Sequence, residues 1–357
     1  MSDYKYIVRL YPVGSYFFGG EVTFGDGETQ NYLVRSRLLP QASALLGLMR
    51  YVILEQNNLL DKGDSKVRDR WPELIGKASF NIEDPQDRYG IISSISPVFV
   101  EKQGLEPEFF TPCPLDYSYD VKVVSGSMVS YSSTCCHPLY LITKQGDDFS
   151  WKDFKNYGYW ASSRKESAML EESSLFQYDE RVGITKNGGS LDGKKAFFKQ
   201  SLVRMAEGYN FIFTLATSKD ILEGKEIGVS NVRTAGLDQI VYLGGNRSAF
   251  RMTVTRMEEE KDPVTLLSDA LRKENRVLLL SDAYITAEER DGLDFIWGNC
   301  IDNRYVSDTH SWRKGNRSDL YHLLSRGSVI YHSDSKALKN FRESKSKLNN
   351  VGLNIFV

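Results

Sequence analysis

The stretch Ile240-Val-Tyr-Leu-Gly-Gly-Asn-Arg-Ser-Ala-Phe250, followed by Arg251-Met-Thr-Val-Thr-Arg256, decides how the second half of this chain folds. Residues 240–243 form an apolar run that is typical of a strand. From residue 250 to residue 255 apolar and polar side chains alternate, which is the period of a half-buried strand. The sequence therefore predicts two strands joined by a short loop that begins with two glycines.

The loop itself, residues 244–247, combines two features that suit a phosphate backbone. Gly244 and Gly245 lack a Cβ, so they adopt positive φ readily and leave backbone N–H groups accessible. Asn246 and Arg247 add an amide and a guanidinium donor. This combination predicts a nucleic-acid-binding loop rather than an active site. A tight strand connection that contacts no ligand is equally compatible with these residues alone.

Composition limits the possible classes of protein. With 41% hydrophobic and 26% charged residues over 357 positions, the chain resembles a globular protein that can bury one large core or form two domains, and two domains are favoured. We place these domains at residues 1–180 and 181–357. The 20 Tyr and 18 Phe residues suit both β-rich structure and base stacking. Because the net charge is −2, RNA binding requires that positive charge be concentrated on one surface.

Location and metal content are also predicted from the sequence. No apolar run is long enough to span a bilayer, and the N-terminus has no secretory signal, so we expect a cytoplasmic protein without a membrane partner. Cys113, Cys135, Cys136 and Cys300 form no CxxC pair. Reduced structural thiols are therefore favoured over a zinc site, and we predict neither a metal nor a cofactor.

A second candidate element is the apolar run from Leu38 to Glu55. Pro40 ends the preceding strand, and Gln41 or Ser43 is placed to begin a helix that continues to about Gln56. The N-terminus of this buried helix offers unpaired N–H groups and a partial positive charge, which attract phosphate. Three arginines flank or end the helix: Arg35, Arg37 and Arg50. Their clustering favours phosphate contact for the first two, although a single arginine is more often a solvated charge.

The pattern of elements predicts the fold class. Residues from about 58 to 180 show poor periodicity and are interpreted as a long insertion in the first half. Ala196–Met205 and Phe211–Thr217 are predicted to form a hairpin, and Asp262-Pro263 has the pattern of a helix start. Strands without regular helical alternation indicate an α+β protein with two modules built on antiparallel sheets.

Several segments resemble one family, in the same order along the chain. Residues 10–19 and 40–50 are similar to a Phe-Phe loop followed by a Pro/Ser-led helix that ends in Gly-x-x-Arg, and residues 109–116 contain Phe-x-Pro-x-Pro-x-Asp. The later landmarks are Arg181–Ile184, Leu243–Arg247, Arg326–Tyr331 and Val351-Gly352. Together they resemble the Cas-five-group subunit of type III-B (Cmr) CRISPR effector complexes, a member of the RAMP superfamily. Gly19 and Asn246 depart from the family pattern, so the type III-A counterpart stays open.

This resemblance implies tandem ferredoxin-like (RRM-related) domains with a projecting hairpin in the insertion. It implies that the glycine-rich loop and the first helix hold the five-prime tag of the CRISPR RNA (crRNA). The implied partners are the large signalling (polymerase/cyclase-type) subunit and the backbone RAMP subunits, with target RNA reached indirectly. The family is not itself a nuclease, so no catalytic residue is expected.

The residues predicted to contact RNA are Phe18, Gly19, Arg35, Arg37, Ser43, Arg50, Lys186, Lys194, Lys195, Tyr242, Gly244, Gly245, Asn246 and Arg247. Among the aromatics, Phe17, Phe18 and Tyr242 are proposed to stack on splayed bases. Two alternatives stay open. One is a metal-independent endoribonuclease that processes precursor crRNA with a histidine such as His310, and the other is a scaffold that contacts only protein.

Overall fold

The computed structural model describes residues 3–20, 33–61, 63–77, 79–124, 128–135, 158–164, 169–184, 186–187, 190–191, 197–229, 232–257, 262–305 and 318–357. The strands of the first half are β1 (Tyr4–Pro12), β2 (Leu33–Arg35), β3 (Ile92–Ile95), β4 (Phe99–Lys102), β5 (Glu108–Pro112), β6 (Tyr117–Val124), β7 (Met128–Cys135), β8 (Tyr159–Ser162), β9 (Leu170–Glu171) and β10 (Phe176–Ile184). Those of the second half are β11 (Lys186–Asn187), β12 (Ser190–Leu191), β13 (Phe197–Met205), β14 (Tyr209–Thr217), β15 (Glu226–Val229), β16 (Val232–Tyr242), β17 (Ala249–Arg256), β18 (Val277–Leu278), β19 (Phe295–Trp297), β20 (Cys300–Asn303), β21 (Tyr321–Leu324) and β22 (Val329–Tyr331).

Among the described residues the helices are fewer than the strands. They are α1 (Ala42–Gln56), α2 (Ser65–Arg68), α3 (Trp71–Ile75), α4 (Glu172–Leu175), α5 (Pro263–Leu271), α6 (Ala287–Asp291), α7 (Ser335–Arg342) and a 3-10 turn at Lys347–Val351. In the described residues, every strand pairing is antiparallel except that of β2 with β13. The α+β class with antiparallel sheets is confirmed.

One large sheet of ten strands organises the chain. Its order is β15-β16-β17-β1-β14-β4-β5-β8-β9, and β3 also pairs with β14. β1 is central, because residues 4–10 pair with β14 while residues 6–12 pair with β17. The sheet thus joins strands from both sides of residue 180, and strands within residues 58–180 extend it. The division into units at residue 180 stays a prediction.

Helix α1 covers one face of this sheet. Its apolar residues Leu45, Leu48, Met49, Val52 and Ile53 recur at helical spacing and are buried. They pack in one cluster with the inward residues of β1, β14 and β17. Burying each such side chain contributes about 1.5–3 kcal/mol. The interior of the helix is therefore fixed by this packing, as the sequence predicts, and the helix ends at the predicted residue.

The opposite face of the sheet is covered by α5, β18 and β22, which belong to the C-terminal lobe, the elements from α5 to β22. Ile7 and Ile212 point to this side and share a cluster with Leu267 and Leu271 of α5. The start of α5 follows its sequence signal, because Asp262 accepts a hydrogen bond from the Val264 N–H and proline occupies the first turn. β1 thus contributes to both hydrophobic clusters, because its successive side chains point to opposite faces of the sheet.

The predicted hairpin between residues 196–205 and 211–217 is wrong. Both strands exist as β13 and β14, but they do not pair with each other. β13 pairs with β10 and with β2, whereas β14 pairs with β1, β3 and β4. The tight turn at Gly208, which has a φ of +83°, therefore moves the chain between two sheets rather than closing a ribbon.

A fully buried ion pair joins the first half of the chain to the C-terminal lobe. Arg276 Nε lies 3.0 Å from Asp116 Oδ2, and both side chains are fully buried. Tyr331 donates its hydroxyl to the same carboxylate oxygen at 2.6 Å. Arg276 also donates to the backbone carbonyl of Leu271 at 3.3 Å. This network fixes the segment after β5 against β22 and the end of α5.

The structure also bears on membranes. Among the described residues, no helix combines the length and the apolar character that crossing a bilayer requires.

We predict that Asp116→Ala lowers the free energy of unfolding by about 3–5 kcal/mol, because Arg276 stays buried after its carboxylate is removed. Chemical denaturation measures this loss. Glu106→Ala is the matched control, since it removes a carboxylate 3.3 Å from the exposed Arg164. The control should cost no more than about 1 kcal/mol. Equal losses in the two variants would contradict the structural role of the buried pair.

Candidate functional site

The glycine-rich loop between β16 and β17 contacts the segment that follows β1. Gly245 donates its N–H to the Phe17 carbonyl at 2.8 Å. Phe17 donates its own N–H to Ser248 Oγ at 3.0 Å, and this hydroxyl donates to the Gly245 carbonyl at 3.0 Å. These three bonds close a small backbone network. The loop and the Phe17 segment are therefore held in one arrangement.

This contact explains why the loop contains glycines. Gly244 has a φ of +81°, and a Cβ placed there would lie 2.4 Å from the Phe17 carbonyl oxygen. A Cβ at Gly245 would lie 2.8 Å from the Phe17 ring. Asn246 and Arg247 continue the loop with φ values of 57° and 49°, in the left-handed region that non-glycine residues rarely adopt. The packing of the loop against Phe17 therefore explains the glycines at positions 244 and 245.

The next residue, Phe18, extends the contact to β2. Phe18 donates its N–H to Ser36 Oγ at 2.8 Å and accepts a bond from the Arg37 N–H at 2.8 Å. The Arg37 guanidinium donates to the backbone carbonyl of Asp302. Three segments, residues 16–20, 35–37 and 244–248, thus lie side by side. We call them together the three-segment surface.

Phe17 and Phe18, which were predicted to stack on RNA bases, are buried. Phe17 and Phe18 are only 8% and 4% exposed, so stacking of either ring on a splayed base is wrong for this conformation. Phe18 packs in the core with its ring centroid 4.6 Å from that of Tyr16 and stacked on Phe250 at 5.9 Å. Tyr242, by contrast, is 64% exposed and keeps a ring face accessible. The sequence could not reveal this, because residues 16–18 form single bridges to three segments that are distant in the chain.

The N-terminus of α1 follows directly after β2. Gln41 occupies the N-cap position with extended backbone and no side-chain cap, so of the two predicted helix starts, Gln41 and Ser43, the structure has the first. Ser43 instead lies in the first turn. This turn contains no acidic residue. Its N–H groups and partial positive charge therefore favour an anion, as the macrodipole predicts.

The remaining predicted residues lie at four separate places in the sequence and fold. Arg35 and Arg247 are exposed on the three-segment surface, and Asn246 donates to Gln200 Oε1 at 2.8 Å. Arg50 is half-buried with its guanidinium 4.9 Å from the centre of the Tyr89 ring, and burial lowers its pKa. Lys186 pairs through its backbone in the β11–β12 hairpin. Lys194 and Lys195 lie outside the described residues.

Two clefts open on either side of Gly20 and Gln41, residues that both clefts share. The β2 cleft, of about 680 Å³, is lined by Arg35, Arg37 and the region around Trp160. The α1 cleft, of about 810 Å³, is lined by Gly19, Ser43, Arg50 and aromatic residues. Five predicted site residues thus line two adjoining cavities. Ser36 and Ser248 hold the neighbouring segments together through their hydroxyls. No motif or spacing in the sequence marks these two serines as part of the site.

The described residues also limit other chemistries. Within the parts of the chain that the structure describes, no three His, Cys, Asp or Glu side chains converge to hold a metal ion. Cys113 is buried, and burial raises the pKa of its thiol. Residues 136–137 and His310 lie outside the described ranges.

We predict that Gly244→Ala loses about 1–3 kcal/mol more stability than Gly208→Ala. Both glycines have nearly the same φ, +81° and +83°, so both variants incur the left-handed cost. Only the Cβ at position 244 would meet a close neighbour; at Gly208 nothing lies within 4 Å. Urea denaturation of the two variants measures the difference. Equal losses would contradict the close approach of the loop to Phe17.

The chain is similar to one protein family and to solved structures. A model of the family described as CRISPR-associated protein (Cas_Cmr3) matches residues 8–354. No curated protein matches the chain. A chain in the cryo-EM structure of the Type III-B Cmr-beta bound to cognate target RNA is 14% identical, with 99% of this chain and 96% of that chain covered and a TM-score of 0.52. A chain in the structure bound to cognate target RNA and AMPPnP, state 1, is 13% identical, with 98% and 94% covered and a TM-score of 0.50.

These structural matches, at such low identity, show that the fold is shared. The family match covers nearly the whole chain, well beyond the glycine-rich loop. This chain belongs to the CRISPR-associated protein (Cas_Cmr3) family.

Proposed function

We propose that this chain is a non-catalytic RNA-binding and assembly subunit of a type III CRISPR ribonucleoprotein. It holds the five-prime tag of the crRNA on the three-segment surface and at the N-terminus of α1. The family membership supports the setting. The observation that carries the RNA role is the adjacency of the glycine loop, the end of β2 and the start of α1. Hydrogen bonds of Phe17 and Phe18 hold the loop beside residues 36–37, and α1 begins five residues further along the chain.

The electrostatics of this surface suit an RNA backbone. Arg35, Arg37 and Arg247 lie on neighbouring segments and supply three guanidinium groups to this surface, although the whole chain carries −2 and three carboxylates line the β2 cleft beside the first two. Phosphate contacts from such arginines, and from the N–H groups of α1, give affinity without reading sequence. The exposed ring of Tyr242, one residue before Leu243 and the loop, offers a stacking face for one base.

The proposed protein partners are the large signalling (polymerase/cyclase-type) subunit and the backbone RAMP subunits of the same complex, with target RNA contacted indirectly. The two solved structures of similar fold are assemblies described as bound to cognate target RNA.

A ribonuclease is the alternative from the enzyme class, and one contact between a histidine and a carboxylate supports it. His322 Nδ1 lies 2.7 Å from Asp302 Oδ1, beside the carbonyl that accepts a bond from Arg37. A histidine oriented by a carboxylate can act as a general base. Incubation of the purified protein with repeat RNA in EDTA separates the alternatives. Site-specific cleavage that His322→Ala or His310→Ala abolishes would overturn the non-catalytic proposal.

We predict that Arg247→Gln and Arg35→Gln weaken binding of the tagged RNA and reduce its salt dependence. Removing one arginine–phosphate interaction should reduce the slope of log affinity against log salt by about 0.7 for a single strand. Filter binding across a salt series measures both quantities on the assembled complex.

Arg272→Gln is the matched control, because Arg272 is exposed on the C-terminal lobe 3.3 Å from Glu274. It should leave the affinity and the slope unchanged. If all three variants bind like the wild type, the chain acts as a protein-only scaffold and the proposed RNA surface is wrong.

A further inference from the structure

Helix α7 and the residues after it carry an excess of positive charge. Residues 334–347 contain five cations and two carboxylates, whereas the whole chain carries a net −2. The cations are Lys336, Lys339, Arg342, Lys345 and Lys347, and the carboxylates are Asp334 and Glu343. Positive charge is therefore gathered at this helix in a chain that is slightly acidic as a whole.

The apolar side of α7 fixes which of its side chains face solvent. Leu338 is buried in a cluster with Val277 and Ile330. The Phe341 ring packs on that of Phe356, with the two centroids 4.9 Å apart. Because residues three apart on a helix lie on the same side, the other side presents its lysines to solvent. The helix is thus held firmly against the chain, with its cationic side outward.

Some of these cations have a structural role. Arg342 donates to the backbone carbonyls of Lys273 and Arg276 at 2.9 and 2.8 Å, and so holds the loop after α5 against the last turn of α7. Lys347 Nζ lies 3.3 Å from Asp87 Oδ2. Lys339 lies in the last turn, where a positive charge complements the macrodipole. The stability of the fold accounts for these three.

The fold gives no such reason for Lys336 and Lys345. Lys336 lies in the first turn of α7, where a positive charge opposes the macrodipole. Asp334, the nearest carboxylate in sequence, accepts the backbone N–H of Lys336 at 2.8 Å as the helix cap. Within the described part of the chain, no carboxylate forms an ion pair with the ammonium of Lys336 or of Lys345. Their charges are therefore open to an external anion.

Four exposed lysines form one continuous surface, which we call the α7 patch. They are Lys336, Lys339, Lys345 and, through the contact of its backbone with Arg342, Lys273. Lys339 is only loosely paired, because its ammonium lies 3.9 Å from Glu343 Oε1. The patch thus offers several compact positive charges with little internal neutralisation.

The composition of the patch distinguishes between classes of partner. Its other exposed side chains include Asn275 and Asn340, which can donate hydrogen bonds. None of the large apolar side chains that the described residues expose belongs to residues 332–357. Protein interfaces are depleted in lysine and enriched in aromatic residues. Lysine and amide donors without apolar anchors instead suit a phosphate backbone, which is contacted without reading bases.

The α7 patch is separate from the start of α1. Leu278 and Val329 of the small sheet β18-β22-β19 share a cluster with the large sheet, whereas the neighbouring Val277 and Ile330 share one with α7. Alternate residues of a strand point to opposite faces, so the small sheet lies between α7 and the large sheet. Since α1 covers the far face of the large sheet, both sheets separate the two helices.

We propose that the α7 patch is a second RNA surface, which holds the phosphate backbone of a single strand without reading its sequence. It is additional to the three-segment surface and takes RNA that lacks the five-prime tag. The inference rests on the proposed function for its setting, a complex that carries RNA. The lysines supply the affinity by displacing counterions from the strand.

The test uses the assembled complex and a single-stranded RNA without the five-prime tag. The patch variant combines Lys336→Gln, Lys339→Gln and Lys345→Gln. The matched control combines Lys5→Gln, Lys66→Gln and Lys102→Gln, three exposed lysines on β1, α2 and β4. Both variants lose the same charge, so a difference between them reports position. Thermal melting should show both folded, because every substituted side chain is exposed.

We expect the patch variant to bind the untagged RNA more weakly, with a smaller salt dependence. Each lost lysine–phosphate contact lowers the slope of log affinity against log salt by about 0.7, so the three together lower it by about 2. Filter binding across a salt series measures the slope. RNA carrying 4-thiouridine should crosslink to residues 336–345 in the wild type and in the control, but not in the patch variant.

Two results would overturn the second RNA surface. One is equal affinity and equal slope in the wild type and the patch variant, with no crosslink to residues 336–345. The other is a patch variant that binds the RNA like the wild type but loses a protein subunit during gel filtration at raised salt, which assigns the patch to an acidic protein surface.

Failure of this proposal and failure of the proposed function give different results. If the wild type holds tagged RNA while untagged RNA neither binds nor crosslinks at the patch, the patch proposal alone fails. If Arg35→Gln and Arg247→Gln leave tagged-RNA binding unchanged while the patch variant loses the untagged RNA, the proposed function fails and the patch stands.

Discussion

The close approach of the Gly244–Gly245 backbone to Phe17 is the constraint on which the candidate surface depends. One N–H to carbonyl bond at 2.8 Å joins a loop late in the chain to a segment near its start. Because a Cβ at either glycine would come within 2.8 Å of Phe17, no side chain can be added without separating the two. Separation would also release Phe18, whose backbone positions β2 and through it the start of α1.

This constraint changes how the glycines are understood. In the sequence alone they suggest a backbone that an RNA phosphate approaches. In the fold they are required by internal packing, so the RNA role is supported by what they position rather than by glycine itself. What they position is a set of cationic and N–H groups: Arg35, Arg37, Arg247 and the first turn of α1. A chain of net charge −2 can bind RNA only if charge is gathered in this way.

Local patterns predicted local structure well. The alternation after the loop matches β17, where Phe250, Met252 and Val254 are buried, and the Asp262-Pro263 signal matches the start of α5. Sequence neighbours could not reveal the pairing of β14 with β1 instead of β13, because that choice is made by contacts between segments that are distant in the chain. The sequence left the start of α1 open between Gln41 and Ser43, and in the fold the helix begins directly after Pro40 and Gln41, so that Ser43 lies inside its first turn.

The site itself was only partly predictable. Its cationic residues and glycines carried recognisable signals, whereas the burial of Phe17 and Phe18 follows from tertiary packing, which for Phe18 involves Tyr16 and Phe250. The aromatic walls of the α1 cleft come from separate segments, around Tyr51, Trp71 and Tyr305, and no spacing in the chain connects them.

Sequencing of the RNA that copurifies with the assembled complex, together with mapping of its crosslinks to this chain, tests RNA binding by the three-segment surface most directly. We predict RNAs that share one five-prime sequence and that crosslink through this end to residues 244–247 and 35–37. RNA without a common five-prime end, or crosslinks confined to other surfaces, would contradict it.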